Sequence, residues 1–293
     1  MAKFAGAATQ AKNVIKGLTK NKLIHSLGTA RNYEQALKTV ASWARDIGIN
    51  GVQAMSLGEA TCYLEYRSEF VGQKALDMER QAIQAMMKLN GRLAAKQTLF
   101  RTKSLKEEIS HSRAYTGAQA LAISQRQTAP NRLATQIAYT AGLRAHELLT
   151  LARVDERVAD ERPSLSSKWA GREGELYTVE GKGGLVREVL IPAFLAQQLE
   201  QKRLTQPVTV RDRKINYLQR YEISGGNKWS DSFSKASTRA LFFSTGAHGL
   251  RHSYAQERMV ELKKLGYSRE TALETVSQEM GHFRPEITLV YLR

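Results

Sequence analysis

The tripeptide Gly-Leu-Arg occurs twice in the sequence, at residues 142–144 and 249–251. The later copy lies within the motif His-Gly-Leu-Arg-His at residues 248–252, and Met-Gly-His follows at residues 280–282. Tyr291 stands nine residues after the last of these histidines. From these motifs, a set of two arginines, two histidines (His248 and His282) and one tyrosine occurs in a fixed order, with tight spacing toward the end of the sequence. We expect the fold to gather these side chains into one site.

The chain is strongly basic. Its 293 residues include 44 lysines and arginines against 28 acidic residues, which gives a net charge of +16. A protein that neutralises the phosphates of a nucleic acid releases condensed counterions, so such an excess favours a polyanion as partner. The basic residues occur along the whole chain rather than in one tail, which suits a surface that wraps DNA. On charge alone we therefore expect a nucleic acid as the partner, and the alternative is a chain made basic for solubility.

Length and composition favour a soluble protein with room for two domains. Hydrophobic residues make up 42% of the chain, and no apolar run approaches the ~20 residues of a membrane span. The first residues lack an apolar stretch of signal-peptide length, so we expect a cytoplasmic protein that does not bind membranes. The single cysteine, Cys62, excludes an intrachain disulfide and a Cys-x-x-Cys metal site. Its apolar surroundings in a predicted helix indicate a packed, inert thiol.

The N-terminal third has the pattern of a helical domain preceded by a basic segment. Residues 1–30 contain five lysines and no acidic residue, and we expect this segment to be partly disordered until DNA binds. Apolar residues then recur at helical spacing in three stretches, at residues 32–47, 57–70 and 73–89. They predict a small helical bundle over residues 31–108. A polar, charged linker then leads to a second domain over residues 113–293.

The second domain is predicted to mix helices with a little sheet. One helix starts near Thr116, and another starts near Pro130 and ends at Gly142. Two β-rich runs, at residues 176–179 and 186–191, flank a glycine turn and predict an antiparallel hairpin.

The polar residues 205–245 show little periodicity and are interpreted as an exposed loop or a DNA-facing insertion. The predicted fold class is mainly α (α+β). It combines a helical N-terminal domain with a mixed, mostly helical second domain that holds a small antiparallel sheet.

The motifs of several common catalytic sites are incomplete in the sequence or absent from it. His146-Glu147 begins like a zinc-protease helix, but position 150 is a threonine and the second ligand is missing. The glycines around Lys182 do not form a phosphate loop, because no glycine lies five residues before the lysine and no Ser or Thr follows it. The sequence also lacks a Gly-x-Ser-x-Gly elbow and clustered carboxylates for two metals. We therefore expect neither ATP nor a metal as cofactor.

The remaining set has a coherent chemistry. Two guanidiniums can grip the non-bridging oxygens of a phosphodiester through paired hydrogen bonds, which supplies the stabilisation that other enzymes obtain from a metal ion. His248 and Arg251 are three residues apart, so on a helix they face the same way. Pro285 can open a short helix that delivers Tyr291. A phenol loses its proton in water only near pH ~10, so a phenol nucleophile needs neighbouring cations and hydrogen bonds.

In these motifs the chain resembles the tyrosine recombinases, the phage-integrase family. The resemblance is close over residues 113–293 and general in character over residues 20–108, where this family usually has a helical core-binding domain. It implies that residues 31–108 form the core-binding domain and that residues 113–293 form the catalytic domain.

The resemblance also implies a role for each residue of the set. Tyr291 is the nucleophile that forms a 3′-phosphotyrosyl bond and releases a 5′-hydroxyl. Arg144 and Arg251 hold the scissile phosphate. Lys182, at or beside the tip of the hairpin, protonates the leaving 5′-oxygen.

The remaining roles concern protons and geometry. His248 assists proton movement at the tyrosine, and His282 hydrogen-bonds the phosphate. Glu147 matches the acidic position three residues after the first arginine of the family and fixes the geometry of the site. His252 also fits the family pattern and is interpreted as a packing residue.

For assembly, the resemblance implies a homotetramer on two sites in double-stranded DNA, which exchanges one pair of strands at a time through a four-way junction. Only two residues follow Tyr291, so we expect a monomer in solution without DNA. DNA-bending or directionality proteins are expected as accessory partners, and the protein is expected at the nucleoid. Two alternatives stay open: a type IB topoisomerase that relaxes supercoils, and a non-catalytic DNA-binding relative.

Overall fold

The computed structural model describes residues 5–106, 111–181, 183–282 and 284–293. The chain divides into two compact units, Met1–Ile109 and Ser110–Arg293. Each unit has a hydrophobic core of its own. No helix among the described residues is long and apolar enough to cross a membrane.

The described part of the first unit is a helical bundle with one short 3₁₀ turn at Val52–Ala54. Its helices are α1 (Ala7–Lys20), α2 (Leu27–Asp46), α3 (Leu57–Ser68) and α4 (Gln73–Leu89). The three helical stretches predicted from periodicity correspond to α2, α3 and α4. Ser56 begins α3 with a capping box, in which its side chain accepts from the backbone of Glu59 and the Glu59 side chain accepts from the backbone of Ser56.

Two expectations for this unit are wrong. The segment 1–30 was expected to be partly disordered, but α1 is a regular helix whose Val14 and Leu18 are fully buried in the core of the unit. The cause is an apolar stripe at helical spacing that the lysines between its members obscure. Cys62 was expected to be packed, but it is exposed, because α3 turns the neighbouring Tyr63 and Leu64 inward instead.

The second unit contains seven helices and five strands among its described residues. The helices are α5 (Gly117–Gln125), α6 (Ala129–Ala141), α7 (Ala193–Glu200), α8 (Gly226–Leu241), α9 (Gly249–Lys264), α10 (Arg269–Glu279) and α11 (Pro285–Leu289). The strands are β1 (Ala152–Arg153), β2 (Glu175–Glu180), β3 (Val186–Ile191), β4 (Arg203–Asp212) and β5 (Ile215–Tyr221). Short 3₁₀ turns lie at Glu147–Thr150 and Val290–Leu292. The predicted mainly helical fold with a small antiparallel sheet is confirmed.

Strands β1, β2 and β3 form one antiparallel sheet in that order. The predicted hairpin is present as β2 and β3, with Tyr177 opposite Val189 and Val179 opposite Arg187. Alternation along β3 buries Arg187, Val189 and Ile191 on one face.

The interpretation of residues 205–245 as an exposed loop is wrong for most of that stretch, whereas the alternative, a DNA-facing insertion, stays a prediction. Strands β4 and β5 form a second antiparallel pair, and α8 follows it. Trp229 and Phe233 of α8 are buried in the main core of the unit. Their helical spacing is a regular signal, but the serines and lysines around them hide it from a reading of composition.

The elements that meet at the candidate site come from distant parts of the sequence. Helix α6 ends at Gly142, whose φ of 61° is left-handed, and a Cβ at this position would stand 2.8 Å from the ring of Tyr254. A glycine is therefore required here for both the backbone turn and the close approach. Helix α9 begins opposite this turn, and Tyr254, Met280 and Tyr291 share a second core cluster beneath it.

Candidate active site

Arg144 and Glu147 form the first part of the site, on the turn that follows α6. The backbone N–H of Arg144 donates to Glu147 Oε2 at 2.8 Å, and its Nη1 donates to Oε1 at 2.6 Å. The side chain of Glu147 is fully buried, whereas that of Arg144 keeps 22% of its surface exposed. The carboxylate therefore fixes a guanidinium that still reaches solvent.

Arg251, in the first turn of α9, is fully buried and joins three segments of the chain. Its Nη1 donates to the carbonyl of Gly142 and lies 3.8 Å from Glu147 Oε2. Its Nη2 donates to the carbonyl of Met280 at 3.0 Å. Its Nε has no hydrogen-bond partner among the described residues, which leaves one buried N–H donor for a ligand.

His282 lies directly against this guanidinium. Nη2 of Arg251 stands 3.0 Å from Nε2 of His282, and Nδ1 of His282 stands 3.0 Å from Oγ1 of the buried Thr288. A guanidinium nitrogen can only donate, so Nε2 accepts and the proton resides on Nδ1. The imidazole is therefore neutral in this arrangement.

Tyr291 is nearly buried, with 9% of its surface exposed, and three histidine rings surround it. The ring centroids lie 5.4 Å from His248, 4.8 Å from His252 and 5.2 Å from His282, the last in a stacked geometry. The guanidinium carbon of Arg251 lies 5.6 Å from the same tyrosine ring. The structure thus brings together five of the six predicted site residues.

The sixth, Lys182, lies outside the described residues. The preceding Gly181 is described, and a Cβ there would stand 3.4 Å from Glu147 Oε1 and 3.8 Å from Arg144 Nη1. The end of β2 therefore approaches the pair of Arg144 and Glu147.

The charges of the site are set by burial and by the arginines. Burial alone would raise the pKa of Glu147, but the surrounding arginines outweigh it and hold the pKa well below its ordinary value. Burial, reinforced by Arg144, lowers the pKa of Arg251 to about 10, so the guanidinium remains protonated at neutral pH. Three arginines share one carboxylate, so the cluster keeps an excess of positive charge.

The pKa values of the three histidines are lowered too, which keeps these groups neutral whereas the carboxylate is charged. Burial, reinforced by the charge of Arg251, lowers the pKa of His282 to about 3 and that of His248 to about 4. Burial, followed by the charge of Arg113, lowers the pKa of His252 to about 4. His248 is the most exposed of the three, so solvent weakens the effect of neighbouring charges on its pKa more than it does for the other two. All three imidazoles are neutral at pH 7.

Two residues of this region were not predicted from the sequence. Arg187 of β3 is buried and donates from Nη2 to Glu147 Oε2 at 2.9 Å and from Nη1 to the carbonyl of Glu279 at 2.7 Å. The sequence feature that could have revealed Arg187 is a charged residue on the apolar face of a predicted strand. Gln256 of α9 donates from Nε2 to the carbonyls of Tyr291 at 3.0 Å and Arg293 at 2.9 Å.

No group of three or more His, Cys, Asp or Glu side chains that could hold a metal ion occurs among the described residues. The residues that gather around Tyr291 are cations and neutral imidazoles. This arrangement can bind an anion and accept a proton from a phenol.

No protein-family model and no curated protein matches the sequence, but solved structures match its fold. A lambda integrase dimer bound to a COC′ core site has a TM-score of 0.60 and 17% identity, over 97% of this chain and 94% of that one. XerH site-specific recombinase in a pre-cleavage complex with difH substrate has a TM-score of 0.57 and 18% identity, over 98% and 81%. Tn1549 transposon integrase in complex with transposon right end DNA has a TM-score of 0.59 and 12% identity, over 99% of this chain and 95% of that one. The chain has the fold of the tyrosine recombinases.

Proposed function

We propose that this protein is a site-specific DNA recombinase of the integrase type, which cleaves and rejoins duplex DNA through a 3′-phosphotyrosyl intermediate. The observation that carries the proposal is the enclosure of one tyrosine ring by a buried guanidinium and three neutral imidazoles. A tyrosine with a purely structural role needs none of these neighbours. A phenol that attacks a phosphodiester needs a cation to bind the phosphate and a neutral imidazole to accept its proton.

In the proposed reaction, Arg144 and Arg251 bind the non-bridging oxygens of the scissile phosphate. The unpartnered Nε of Arg251 and the solvent-facing guanidinium of Arg144 are the donors for this contact. The N-terminus of α9, which carries Arg251 in its first turn, adds the positive end of a helix dipole. Negative charge that develops on the phosphate oxygens is stabilised by these fixed cations without a metal ion.

Tyr291 then attacks phosphorus. Its hydroxyl oxygen forms a bond to phosphorus, and the bond from phosphorus to the 5′-oxygen breaks. His248, whose ring centroid is 5.4 Å from that of the tyrosine, takes up the phenolic proton because its neutral imidazole can accept one. Lys182 gives a proton to the leaving 5′-oxygen. Rejoining reverses these steps with a different 5′-hydroxyl, so the phosphotyrosyl bond conserves the energy of the cleaved strand.

The charge of the chain and the solved relatives support DNA as the substrate. The net charge of +16 favours a polyanion. One similar solved structure is a lambda integrase tetramer bound to a Holliday junction, with a TM-score of 0.61 and 16% identity. We propose the same assembly here, in which monomers form a tetramer on two DNA sites, with DNA-bending or directionality proteins as accessory partners.

The domain roles belong to this proposal. Residues 31–108, within the helical first unit, are the core-binding domain. Residues 113–293, within the second unit, are the catalytic domain, because every described member of the candidate site lies there. We further propose that the protein acts at the nucleoid.

The test uses duplexes of random sequence that carry a nick in one strand. Cleavage beside the nick releases a short 5′-hydroxyl product, so the covalent complex is trapped and can be recovered from a denaturing gel and sequenced. We expect adducts with the wild-type protein and none with Tyr291→Phe, which loses one oxygen and should still fold and shift DNA. Adducts should also form in excess chelator.

Each other outcome contradicts a part of the proposal. Adducts that persist in Tyr291→Phe would move the nucleophile to another residue, such as Tyr254 or Tyr267. Relaxation of supercoiled plasmid without a preferred sequence would favour a type IB topoisomerase. Wild-type protein that binds DNA and yields no adduct would indicate a non-catalytic relative.

A further inference from the structure

Arg187 is a buried cation that the proposed reaction does not use. Its side chain is 5% exposed, and both terminal nitrogens are bonded within the protein, to the carboxylate of Glu147 and to the carbonyl of Glu279. Burial of a guanidinium is costly unless its donors are bonded, and here Nε alone has no hydrogen-bond partner among the described residues. Because both terminal nitrogens are bonded to protein acceptors and Nε faces Gly281, where a Cβ would stand 3.0 Å from it, Arg187 is not placed to bind a phosphate.

The two acceptors of Arg187 lead to opposite sides of the site. Glu147 fixes the backbone and the guanidinium of Arg144. The carbonyl of Glu279 ends α10 and begins the turn that carries Met280 and His282. Arg187 therefore spans the distance between the segment of the first arginine and the segment of the second histidine.

The turn itself is built around this side chain. Gly281 has a left-handed φ of 72°, and a Cβ at this position would stand 2.5 Å from Cδ of Arg187. The Arg187 stem thus fills the space where another residue at position 281 would place its side chain. On the strand side, β3 pairs Arg187 with Val179 of β2, two residues before Gly181.

We propose that Arg187 is a positioning residue, which sets the spacing between Arg144 on one side of the scissile phosphate and Arg251 with His282 on the other. The inference rests on the proposed DNA cleavage. The guanidiniums of Arg187 and Arg251 both lie near one oxygen of Glu147. Arg187 Nη2 stands 2.9 Å from Glu147 Oε2 and Arg251 Nη1 stands 3.8 Å from the same atom, so Arg187 occupies a position that Arg251 would otherwise take.

Removal of Arg187 leaves Glu147 Oε2 with an unsatisfied lone pair in a buried place. Nη1 of Arg251 stands 3.8 Å from that oxygen, and its guanidinium turns toward the carboxylate. This movement breaks its bond to Nε2 of His282, which is 3.0 Å long in the intact site. The phosphate site is then lost although every residue that would touch the phosphate is still present.

The experiment compares Arg187→Lys and Arg187→Met with Arg172→Lys as the matched control. Arg172 also holds a carboxylate with two N–H donors, at 2.8 and 3.0 Å from Glu261. Its other side-chain contacts are with the carbonyl of Thr140 and the ring of Tyr254, so it bonds to none of the described residues that are proposed to bind the phosphate. A lysine keeps the charge and cannot bridge two separate acceptors in the way that a planar guanidinium does. Circular dichroism and thermal unfolding establish that each variant is folded.

With the nicked duplex recovered by trapping, Arg187→Lys should form adducts about 10²-fold more slowly, the scale expected for misplacement of reacting groups. Its affinity for the duplex should stay within a few-fold of wild type. Arg172→Lys should lose a similar amount of thermal stability and keep the wild-type rate. In the double variant Arg187→Met with Glu147→Gln, the rate of adduct formation should fall by less than the product of the two single decreases, since the two residues act as one unit.

A second measurement needs no DNA. Nitrogen-15 spectra of the histidine side chains report the tautomer of His282, which should change in Arg187→Met and remain unchanged in Arg172→Lys. A wild-type adduct rate in Arg187→Lys, or an unaltered His282 signal in Arg187→Met, would overturn the inference. Failure of the wild-type protein to form adducts would instead contradict the proposed function, and the spectra would still decide the role of Arg187.

Discussion

The guanidinium of Arg251 donates to Nε2 of His282 across 3.0 Å, and this contact determines what the histidine can do. While Nε2 accepts from Arg251, it cannot donate to a phosphate oxygen. A phosphate that bound between the two side chains would accept from Arg251 instead, and its negative charge would favour the imidazolium form of His282. Binding of a phosphate between these two side chains would therefore be coupled to the uptake of a proton by His282.

The first prediction concerns this coupling. In the protein alone, nitrogen-15 spectra should show His282 as the neutral Nδ1–H tautomer, because Nδ1 lies 3.0 Å from Thr288 Oγ1. Saturation with inorganic phosphate should raise the pKa of His282 from about 3, and calorimetry in buffers of different ionisation enthalpy should report proton uptake. An Nε2–H tautomer without phosphate would contradict this assignment.

The second prediction concerns stability in acid. Burial and Arg113 lower the pKa of His252 to about 4 in the folded state, whereas an unfolded histidine titrates near pH ~6.5. Between these values the unfolded chain binds more protons, so the free energy of unfolding falls as pH is lowered through this window and is independent of this group above it. In His252→Asn, urea unfolding should show a pH slope about 1.4 kcal/mol per unit shallower between these limits. An unchanged slope would show that His252 is protonated in the folded protein.

The third prediction concerns Gln256. Its amide holds the carbonyls of Tyr291 and Arg293, so Gln256→Ala should release the backbone of the short turn that carries the tyrosine. Amide hydrogen exchange at Val290–Leu292 should accelerate, and adduct formation should slow by roughly tenfold with unchanged DNA affinity, the result for an interaction needed only to reach the transition state. Gln197→Ala, an exposed glutamine on α7, is the matched control. Equal rates of adduct formation for Gln256→Ala and Gln197→Ala would show that the turn at Val290–Leu292 holds Tyr291 in place without the Gln256 amide.

The fourth prediction concerns Lys182, which the proposed reaction assigns as the proton donor to the leaving oxygen. Lys182→Ala should slow cleavage by roughly 10²–10⁴-fold, the usual scale for a positioned acid. A duplex with sulfur at the bridging 5′ position has a leaving group that needs no proton, and it should restore cleavage in this variant but not in Arg144→Ala. Equal defects on both duplexes would show that Lys182 positions DNA, and Lys168 and Lys228 would become the next candidates for the acid.

The sequence predicted those parts of the molecule in which local chemistry and long-range structure agree. Gly142 predicts the end of α6 because a glycine adopts the left-handed conformation of a helix C-terminus without strain, and the β2–β3 hairpin follows from two β-rich runs around glycines. The site set was predicted because its members are spaced by short motifs, such as His248 and Arg251 on one helical turn. Periodicity and turn chemistry act over a few residues, and these features need no more than that.

Other features depended on contacts between distant segments. Arg187 carries a charge into an apolar strand face, and only the fold reveals that Glu147 and the end of α10 are there to satisfy it. Helix α8 was missed because Trp229 and Phe233 are separated by polar residues, and only a core on one side of the helix explains that pattern. The order of α1 depends likewise on burial against α2 and α4, which outweighs its lysines.

The buried guanidinium of Arg251 has one more consequence, since it takes its acceptors from the turn after α6, from the end of α10 and from the loop before α11. If any one of these three segments separates from the others, Arg251 loses an acceptor and the anion site is dismantled even where the rest of the unit stays folded. Under the proposed function, such a molecule would lose the means to cut DNA while the basic residues elsewhere in the chain remained. A failure in that order would leave the DNA strands intact.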